Sequence, residues 1–311
     1  VTNRAHTANP DGPVLVVTNE RDFAADVVVA RLQASGYPVE RLNTETDLQV
    51  VWRPDEPPLA ARYSAVWLRQ FLADPTPQDS VNDVDDFLVT REQWRTWLTD
   101  LAEHAPTRWM NPLWSARRAE NKLIQLRTAV SVGLRVPATI VTNSRDEAAA
   151  HQAKVGRSIV KALASAFFPF SDSGFMFTRP LDEALALDAT NWTQQPVIVQ
   201  AAIHPRTDIR IFIIGTDFAA AARTEVDAVD WRTRSGEAEW ERCEPPEDIL
   251  ERCRNYLSAF DLVYGAFDFA FDGDTWWFLE CNQAGEFAFA DRPLELGVAE
   301  AITTWLCGGP R

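Results

Sequence analysis

The stretch Tyr264–Gly285, YGAFDFAFDGDTWWFLECNQAG, reads as two strands joined by a tight turn. Side chains alternate along a strand, so Ala266, Asp268 and Ala270 share one face and Phe267, Phe269 and Phe271 the other. In the second strand Trp276, Phe278, Glu280 and Asn282 fall on one face, with Trp277, Leu279 and Cys281 on the opposite one. A three-residue loop, Asp272-Gly273-Asp274, would pair Phe271 with Thr275 and Asp268 with Phe278. Phe267 then meets Leu279 and Phe269 meets Trp277, giving one continuous apolar face. The same register leaves Asp268 diagonal to Glu280 on the other face, roughly 7–8 Å apart, and Asn282 continues that row. Two carboxylates and an amide oxygen make an oxygen-only set, the kind Mg²⁺ takes with phosphate oxygens and water completing its shell. The alternative is a solvated hairpin face. Flanking Phe, Trp, Leu and Ala argue against free solvation, and residue geometry alone leaves both readings open.

Outward from the hairpin, strand and helix signals alternate near the N-terminus. Val14–Thr18 is a short β-branched run of the buried parallel type. A helix is expected from about Asp22 to Ala34, closed by Ser35-Gly36, then a strand over Tyr37–Leu42. Ala65–Leu68 and a long helix over Val84–Leu101 suggest a second βα pair. Val17–Asp22 contains no glycine, so a Rossmann dinucleotide site is poorly supported. Next, Ser115 is expected to cap one helix with a buried stripe at Ala119, Leu123, Leu126 and Val130, stopped by Gly133. Val136–Val141 is extended, and Ser144 begins a helix through about Lys154. Strands are then expected over Ile159–Leu163, Val197–Gln200, Ile209–Ile214 and Phe218–Arg223, with helices over Pro246–Phe260 and Leu294–Leu306. The order is that of α/β plus α+β pieces.

Composition sets the outer limits. A length of 311 residues is about two domains' worth, and 46% hydrophobic with 24% charged residues is ordinary for a soluble globular chain. No apolar run approaches the ~20 residues that span a bilayer, so no membrane partner is expected. Val1–Pro13 is polar and lacks the apolar core of an export signal; residues 1–13 read as a disordered tail. Thirty Lys+Arg against 45 Asp+Glu give a net charge of −15, which disfavours sequence-independent binding to nucleic acid. Cys243, Cys253, Cys281 and Cys307 form no CxxC pair, and the four His are scattered, so neither a disulfide framework nor a zinc site is indicated. A reducing cytoplasm is the expected location.

Seven segments, taken together and in order, carry a resemblance: VTNERDF (17–23), NPLWSARRAENKLIQL (111–126), VKAL (160–163), DIRIFIIG (208–215), FAAAAR (218–223), DWR (230–232) and FLECNQAGEF (278–287). The chain resembles the ATP-grasp ligases, and within them the peptide maturases that make microviridin-like graspetides, from about Val14 to Ile302. That resemblance implies an N-terminal open α/β pre-ATP-grasp domain over 14–111, a small central lid subdomain over 112–199, and a C-terminal sheet subdomain with the metal site over 200–311. Lys122 and Lys161 fall where the fold's two phosphate-binding lysines sit; a lysine there is a point charge for phosphate. Lys122 read alone is a solvent-facing helix lysine, whereas Lys161 lies in an apolar strand where an unpaired ammonium is costly.

The resemblance further implies an adenine hinge at Gln200, Ala201 and Ile203, and a nucleotide-contacting acid at Asp208. Arg210 and Arg223 match catalytic basic positions facing the triphosphate or acyl phosphate, and Arg232 a nucleotide- and substrate-facing one. Arg210 and Arg223 sit in strands otherwise nearly free of charge, so both are expected to be buried against an anion. Asp230 and Arg232 resemble a pair tied to substrate handling, the bland alternative being a surface ion pair. Asp268, Glu280 and Asn282 match the Mg²⁺ ligands. Two features depart from relatives: Ala162–Met176 has only Gly174 and is rich in Ser and Phe, and Glu286 stands where a neutral polar residue is frequent.

What the resemblance implies chemically is use of ATP and Mg²⁺ to activate Asp or Glu side chains of a ribosomal precursor peptide, with a leader and an acidic core. Attack by a Ser or Thr hydroxyl or a Lys amine of the same peptide gives lactone or lactam crosslinks. One alternative is an intermolecular carboxylate–amine ligase resembling the ribosomal-protein glutamate ligases. Another is a non-catalytic peptide-binding module on the same scaffold. Relatives are commonly homodimers; twelve Trp suit a large interface or a large core equally.

Overall fold

The computed structural model describes residues 9–43, 51–56, 59–69, 84–103, 108–163, 178–187, 192–225 and 238–308. Three sheets organise them. In the first, β1 (Val14–Thr18) lies between β2 (Val39–Asn43) and β3 (Ala65–Leu68), with β4 (Arg108–Met110) outside β3, all parallel. Every residue of β1 is buried, as its unbroken apolar run requires of a central parallel strand. Helix α1 (Phe23–Ala34) is capped by Asp22, whose side chain accepts from the Ala25 N–H, and buries Ala24, Ala25, Val28 and Leu32. Helix α2 spans Val84–Glu103.

The single helix expected after Ser115 is two. Helix α3 (Leu113–Ala119) ends at Glu120, and α4 (Lys122–Ser131) begins anew with Asn121 as its cap, accepting from the Leu123 and Ile124 N–H groups. The break turns the second helix, so its buried face is Gln125, Thr128 and Ala129, while Leu123 and Val130 are exposed. Ser115 caps neither helix and instead donates to Asp261 Oδ2 at 3.4 Å.

The second sheet is antiparallel, in the order β5 (Thr139–Thr142), β8 (Val197–Ala201), β6 (Ser158–Lys161), β7 (Arg179–Pro180). Helices α5 (Arg145–Val155, capped by Ser144) and α6 (Leu181–Leu185) belong to the same segment of chain. The third sheet has the order β11 (Glu241–Cys243), β10 (Phe218–Thr224), β9 (Thr207–Ile214), β12 (Tyr264–Phe271), β13 (Trp276–Asn282), again antiparallel. One face of it packs Ile209, Ile211, Phe267, Phe269 and Phe278 against Cys253, Tyr256, Leu257 and Phe260 of α7 (Glu247–Phe260) and Ala129 of α4. The other face joins Phe212, Ala222, Tyr264 and Ala266 to Val14, Val16 and Trp67 of the first sheet and to α8 (Ala288–Leu294) and α9 (Val298–Leu306).

The terminal helix expected from Leu294 begins only at Val298, because Leu294 ends the preceding helix α8 and Glu295 and Gly297, at φ 50° and 82°, separate α8 from α9. Asp291 holds the junction, Oδ1 accepting from Val298 N–H at 2.7 Å and Oδ2 from Ala299 N–H at 3.0 Å. Among the described residues, no helix is long and apolar enough to cross a membrane.

The hairpin register also departs from simple alternation. Phe271 pairs with Trp276, not Thr275, so the turn has four residues, Asp272–Thr275. Asp272 organises it: Oδ1 accepts from the Asp274 and Thr275 N–H groups at 3.0 and 2.8 Å, and Oδ2 from Trp277 Nε1 at 2.7 Å. These bonds, Trp277's foremost, hold the Asp272 carboxyl below its ordinary pKa. A bulge follows opposite Asp268 and Phe269, leaving Phe269 across from Phe278, Phe267 across from Cys281, and Asp268 directly opposite Glu280 rather than diagonal to it. The expected Phe267–Leu279 and Phe269–Trp277 neighbours are therefore replaced. Phe278 and Cys281 enter the core, and Leu279 is left on the opposite side beside Glu280.

Candidate active site

The apolar half of the inner face of the third sheet covers the first sheet; its other half is polar. Moving along the strands from Phe212 and Ala266, the next residues on that face are Arg210 and Asp268, directly opposed across β9 and β12, and then Asp208. Arg210 Nε donates to Asp268 Oδ1 at 2.8 Å and Nη2 to Oδ2 at 3.1 Å, a forked pair with side chains 7% and 15% exposed. Across β12, Glu280 faces Asp268, and Lys122 Nζ lies 3.7 Å from Glu280 Oε2. Lys122 also donates to the Ala162 carbonyl at 3.3 Å, next to Lys161 at the end of β6. Asp268, Glu280, Leu279, Asp208, Trp240 and Lys161 line one open cleft of about 450 Å³, with the second sheet supplying Lys161 and the third the rest of the charged set.

Several of the sequence-based expectations therefore converge. Lys122, Lys161, Asp208, Arg210, Asp268 and Glu280 are brought to one region. Asn282 follows two residues beyond Glu280, opposite Ala266, and its Oδ1 accepts from the Ala284 N–H at 2.9 Å. Asp208 is buried and paired with Arg206 at 3.1 Å.

Others do not. The anion against which Arg210 is buried is Asp268, not an open phosphate position. Arg223 falls opposite Ile209, on the face of the sheet away from Arg210, because β10 alternates and Ala222 takes the inner face. It is half exposed, and its Nε donates to Glu241 Oε1 at 2.6 Å, so the expectation of a buried, site-facing Arg223 is corrected. Asp230 and Arg232 lie outside the described residues, as do residues 164–177 of the segment after Lys161.

The hinge residues sit at the other wall. Gln200 on β8 is buried, and its Nε2 donates to Thr139 Oγ1 at 2.8 Å. Its Oε1 is buried with no hydrogen-bond partner among the described residues. Ala201 and Ala202 donate their N–H groups to Ala138 and Arg157 carbonyls at 2.8 Å each, and the chain leaves the sheet before Ile203.

Two positions that sequence reasoning missed hold this arrangement. Gln125, one turn after Lys122 on α4, is buried against the outer edge of β13. Its Oε1 accepts from Cys281 N–H at 2.9 Å, and Nε2 donates to the Cys281 carbonyl at 3.0 Å and to Ala119 O at 2.6 Å. The side-chain amide takes the place of a neighbouring strand, fixing the residue between Glu280 and Asn282. The second is Arg69, whose only signal in the sequence was an arginine directly after the buried run Ala65–Leu68. It is 2% exposed and reaches the segment that follows Asn282.

No family model and no curated sequence matches the chain. Solved structures do. An ATP-grasp ligase associated with a ribosomally made, modified peptide from Chryseobacterium gregarium, bound to ADP and a leader and core peptide, is 24% identical with a TM-score of 0.81, over 96% of this chain and 98% of that one. The macrocyclase MdnB of Microcystis aeruginosa MRC is 25% identical with a TM-score of 0.74, over 96% and 100%. The ATP-grasp ligase PsnB, bound to a minimal precursor, Mg and ADP, is 21% identical with a TM-score of 0.76, over 96% and 97%. The fold is thus the ATP-grasp fold along nearly the whole chain.

Proposed function

We propose that this chain is an ATP-dependent peptide macrocyclase of the graspetide type, an ATP-grasp ligase that uses Mg²⁺. The observation that carries the reading is the cleft in which Lys161 of one sheet meets Asp268, Glu280 and Asp208 of another, with Lys122 at 3.7 Å from Glu280. Structural likeness over 96% of the chain to ligases bound to ADP and precursor peptides supports it.

The residues fit the groups this chemistry needs. Among the described residues no three His, Cys, Asp or Glu side chains gather as a metal cage. Mg²⁺ is commonly held by one or two carboxylates plus substrate phosphates, so Asp268 and Glu280 suffice, with Asn282 as a third oxygen donor. The unpartnered Oε1 of Gln200 is an acceptor that the amino group of an adenine ring would satisfy. Bound Mg²⁺ would neutralise charge on the phosphates being transferred.

The protein's own part is positioning and charge. Lys122 and Lys161 draw the phosphates towards the carboxylate pair. Arg210 holds Asp268 in one orientation through both oxygens, keeping a fixed anion where the metal is to sit. A substrate Asp or Glu carboxylate oxygen takes the γ-phosphoryl group and ADP departs. A Ser or Thr hydroxyl, or a Lys amine, of the same peptide then attacks the acyl carbon. Its proton is lost, phosphate leaves with the bonding pair, and an ester or amide closes the ring. Asp230 and Arg232 are the proposed substrate-handling pair, and Ala201 and Ile203 belong to the adenine hinge. The peptide partner supplies both electrophile and nucleophile.

Intact mass of an acidic precursor peptide after incubation with ATP and Mg²⁺ tests the proposal. Loss of one water per ring is the expected result. Gain by whole amino-acid residues would transfer the protein to the intermolecular ligases, and binding without ATP turnover would make it a peptide-binding module.

A further inference from the structure

Arg69 is a buried cation between Asp22, just after β1, and the segment that follows β13. On one side its Nε lies 3.2 Å from Asp22 Oδ2, an ion pair without hydrogen-bond alignment, both side chains being fully buried. Asp22 is itself fixed: Thr18 Oγ1 donates to Oδ2 at 2.6 Å and the Ala25 N–H to Oδ1 at 3.1 Å. On the other side Arg69 Nη1 donates to the carbonyls of Ala284 and, at 2.8 Å, Gly285, while Nη2 donates to Glu286 Oε2 at 3.0 Å. Trp67 and Phe287 rings cover the guanidinium at 5.8 and 5.6 Å.

The segment it grips, Ala284–Glu286, touches one candidate metal ligand directly and a second through Arg210. The Ala284 N–H donates to Asn282 Oδ1 at 2.9 Å. The Glu286 carbonyl accepts from Arg210 Nη1 at 3.4 Å, and Arg210 is the residue that orients Asp268. Gly285 between them lies so close to β12 that a Cβ there would fall 2.4 Å from the Ala266 Cβ. Tyr264 Oη adds a bond to the Gly285 carbonyl at 2.8 Å.

We infer that Arg69 is a positioning residue for the Asp268–Glu280–Asn282 set, clamping Ala284–Glu286 so that Asn282 and the Arg210–Asp268 pair keep their places. The inference rests on the proposed Mg²⁺–nucleotide site. It gives the VTNERDF segment of the first sheet a task at the active centre, through Thr18 and Asp22. Lysine cannot substitute, since three nitrogens of one planar fork serve partners on different sides.

Binding of Mn²⁺ with a non-hydrolysable ATP analogue, followed by electron paramagnetic resonance, tests it in the full chain. Arg69→Lys is expected to weaken Mn²⁺ binding by about tenfold or more, the range typical when residues behind a metal ligand are changed. Glu286→Gln, at a side chain 43% exposed, is expected to shift it in the same direction and less. It decides the matter should Arg69→Lys fail to fold. Wild-type Mn²⁺ affinity in a folded Arg69→Lys or Glu286→Gln protein, with only thermal stability lowered, would overturn the inference and leave Arg69 a structural brace. A wild-type chain that takes up no Mn²⁺–nucleotide would instead overturn the proposed site, and the inference with it.

Discussion

Arg210 and Asp268 stand opposite each other on β9 and β12, joined by two hydrogen bonds of 2.8 and 3.1 Å. Glu280 is the next residue across the sheet, and Lys122 closes the row from α4. The sequence of charges is positive, negative, negative, positive. Two adjacent carboxylates repel, and the flanking cations, Arg210 on one side and Lys122 on the other, offset that repulsion. The arrangement holds Asp268 in one orientation, with Glu280 beside it in the cleft.

Removing one partner of the Arg210–Asp268 pair leaves the other mostly buried and uncompensated. Arg210→Met is expected to lower unfolding free energy by about 3–5 kcal/mol, the usual cost of breaking a buried pair. The double variant Arg210→Met with Asp268→Leu is expected to recover much of that stability and none of the ATP turnover. Urea denaturation and ADP release, measured on the same preparations, separate the two effects. Recovery of turnover in the double variant would show that the pair is only structural.

Gln125 supports the site from outside. In Gln125→Leu, the Cys281 N–H and carbonyl lose their partners at the buried edge of β13. An unmet buried polar group costs roughly 1–3 kcal/mol, so a fall of that order in the urea-derived stability is expected. Because Glu280 and Asn282 flank Cys281, nucleotide-dependent metal binding should weaken too. Unchanged stability would mean that water or another side chain replaces the amide.

The four thiols predict behaviour at high pH. Burial pushes the Cys243 thiol up to about 11, with Arg223 opposing and Glu241 assisting. Burial likewise raises Cys253, Cys281 and Cys307. A group whose folded pKa is raised holds its proton in the native state while the unfolded chain releases it. The stability it contributes is complete below the ordinary thiol value of 9.0 and is lost as pH climbs towards about 11. The urea midpoint should therefore decline across that window. Thiol labelling at pH 8 should be slow in native protein and fast in urea; fast native labelling of Cys253 or Cys281 would contradict their burial.

Much of this was legible in the chain, for identifiable reasons. The runs Val14–Thr18 and Ile209–Ile214 are mostly apolar, and both form buried strands where they were expected. The pairing of Asp268 with Glu280 was partly legible. Alternation brought them to one face, but the bulge that puts Leu279 and Glu280 on the same side depends on seating Phe278 and Cys281 in the core against α7. The break at Asn121 was visible as a capping residue but outweighed by a longer apolar period. Arg223 shows the opposite failure: an arginine in an apolar strand suggested burial, yet near the end of β10 it is half exposed and pairs with Glu241, opposite it on the edge strand β11. Arg69 was illegible because the segment it grips, Ala284–Glu286, lies more than 200 residues away along the chain.

Lys122 separates stability from binding most sharply. Its contact with Glu280 is 3.7 Å long, between side chains 20% and 29% exposed, and pairs of that kind contribute about 0–1 kcal/mol. Lys122→Met keeps the length and apolar stem of the side chain, so its denaturation curve should overlie that of the wild type within that range. Nucleotide affinity should behave differently, because a phosphate would lose one of two converging ammonium groups in a partly dry cleft; a tenfold loss corresponds to about 1.4 kcal/mol. Calorimetric titration with Mg²⁺ and a non-hydrolysable ATP analogue reads it directly. Unaltered affinity, with the fold intact, would reduce Lys122 to a brace between Glu280 and Ala162 and leave Lys161 as the phosphate lysine of this cleft.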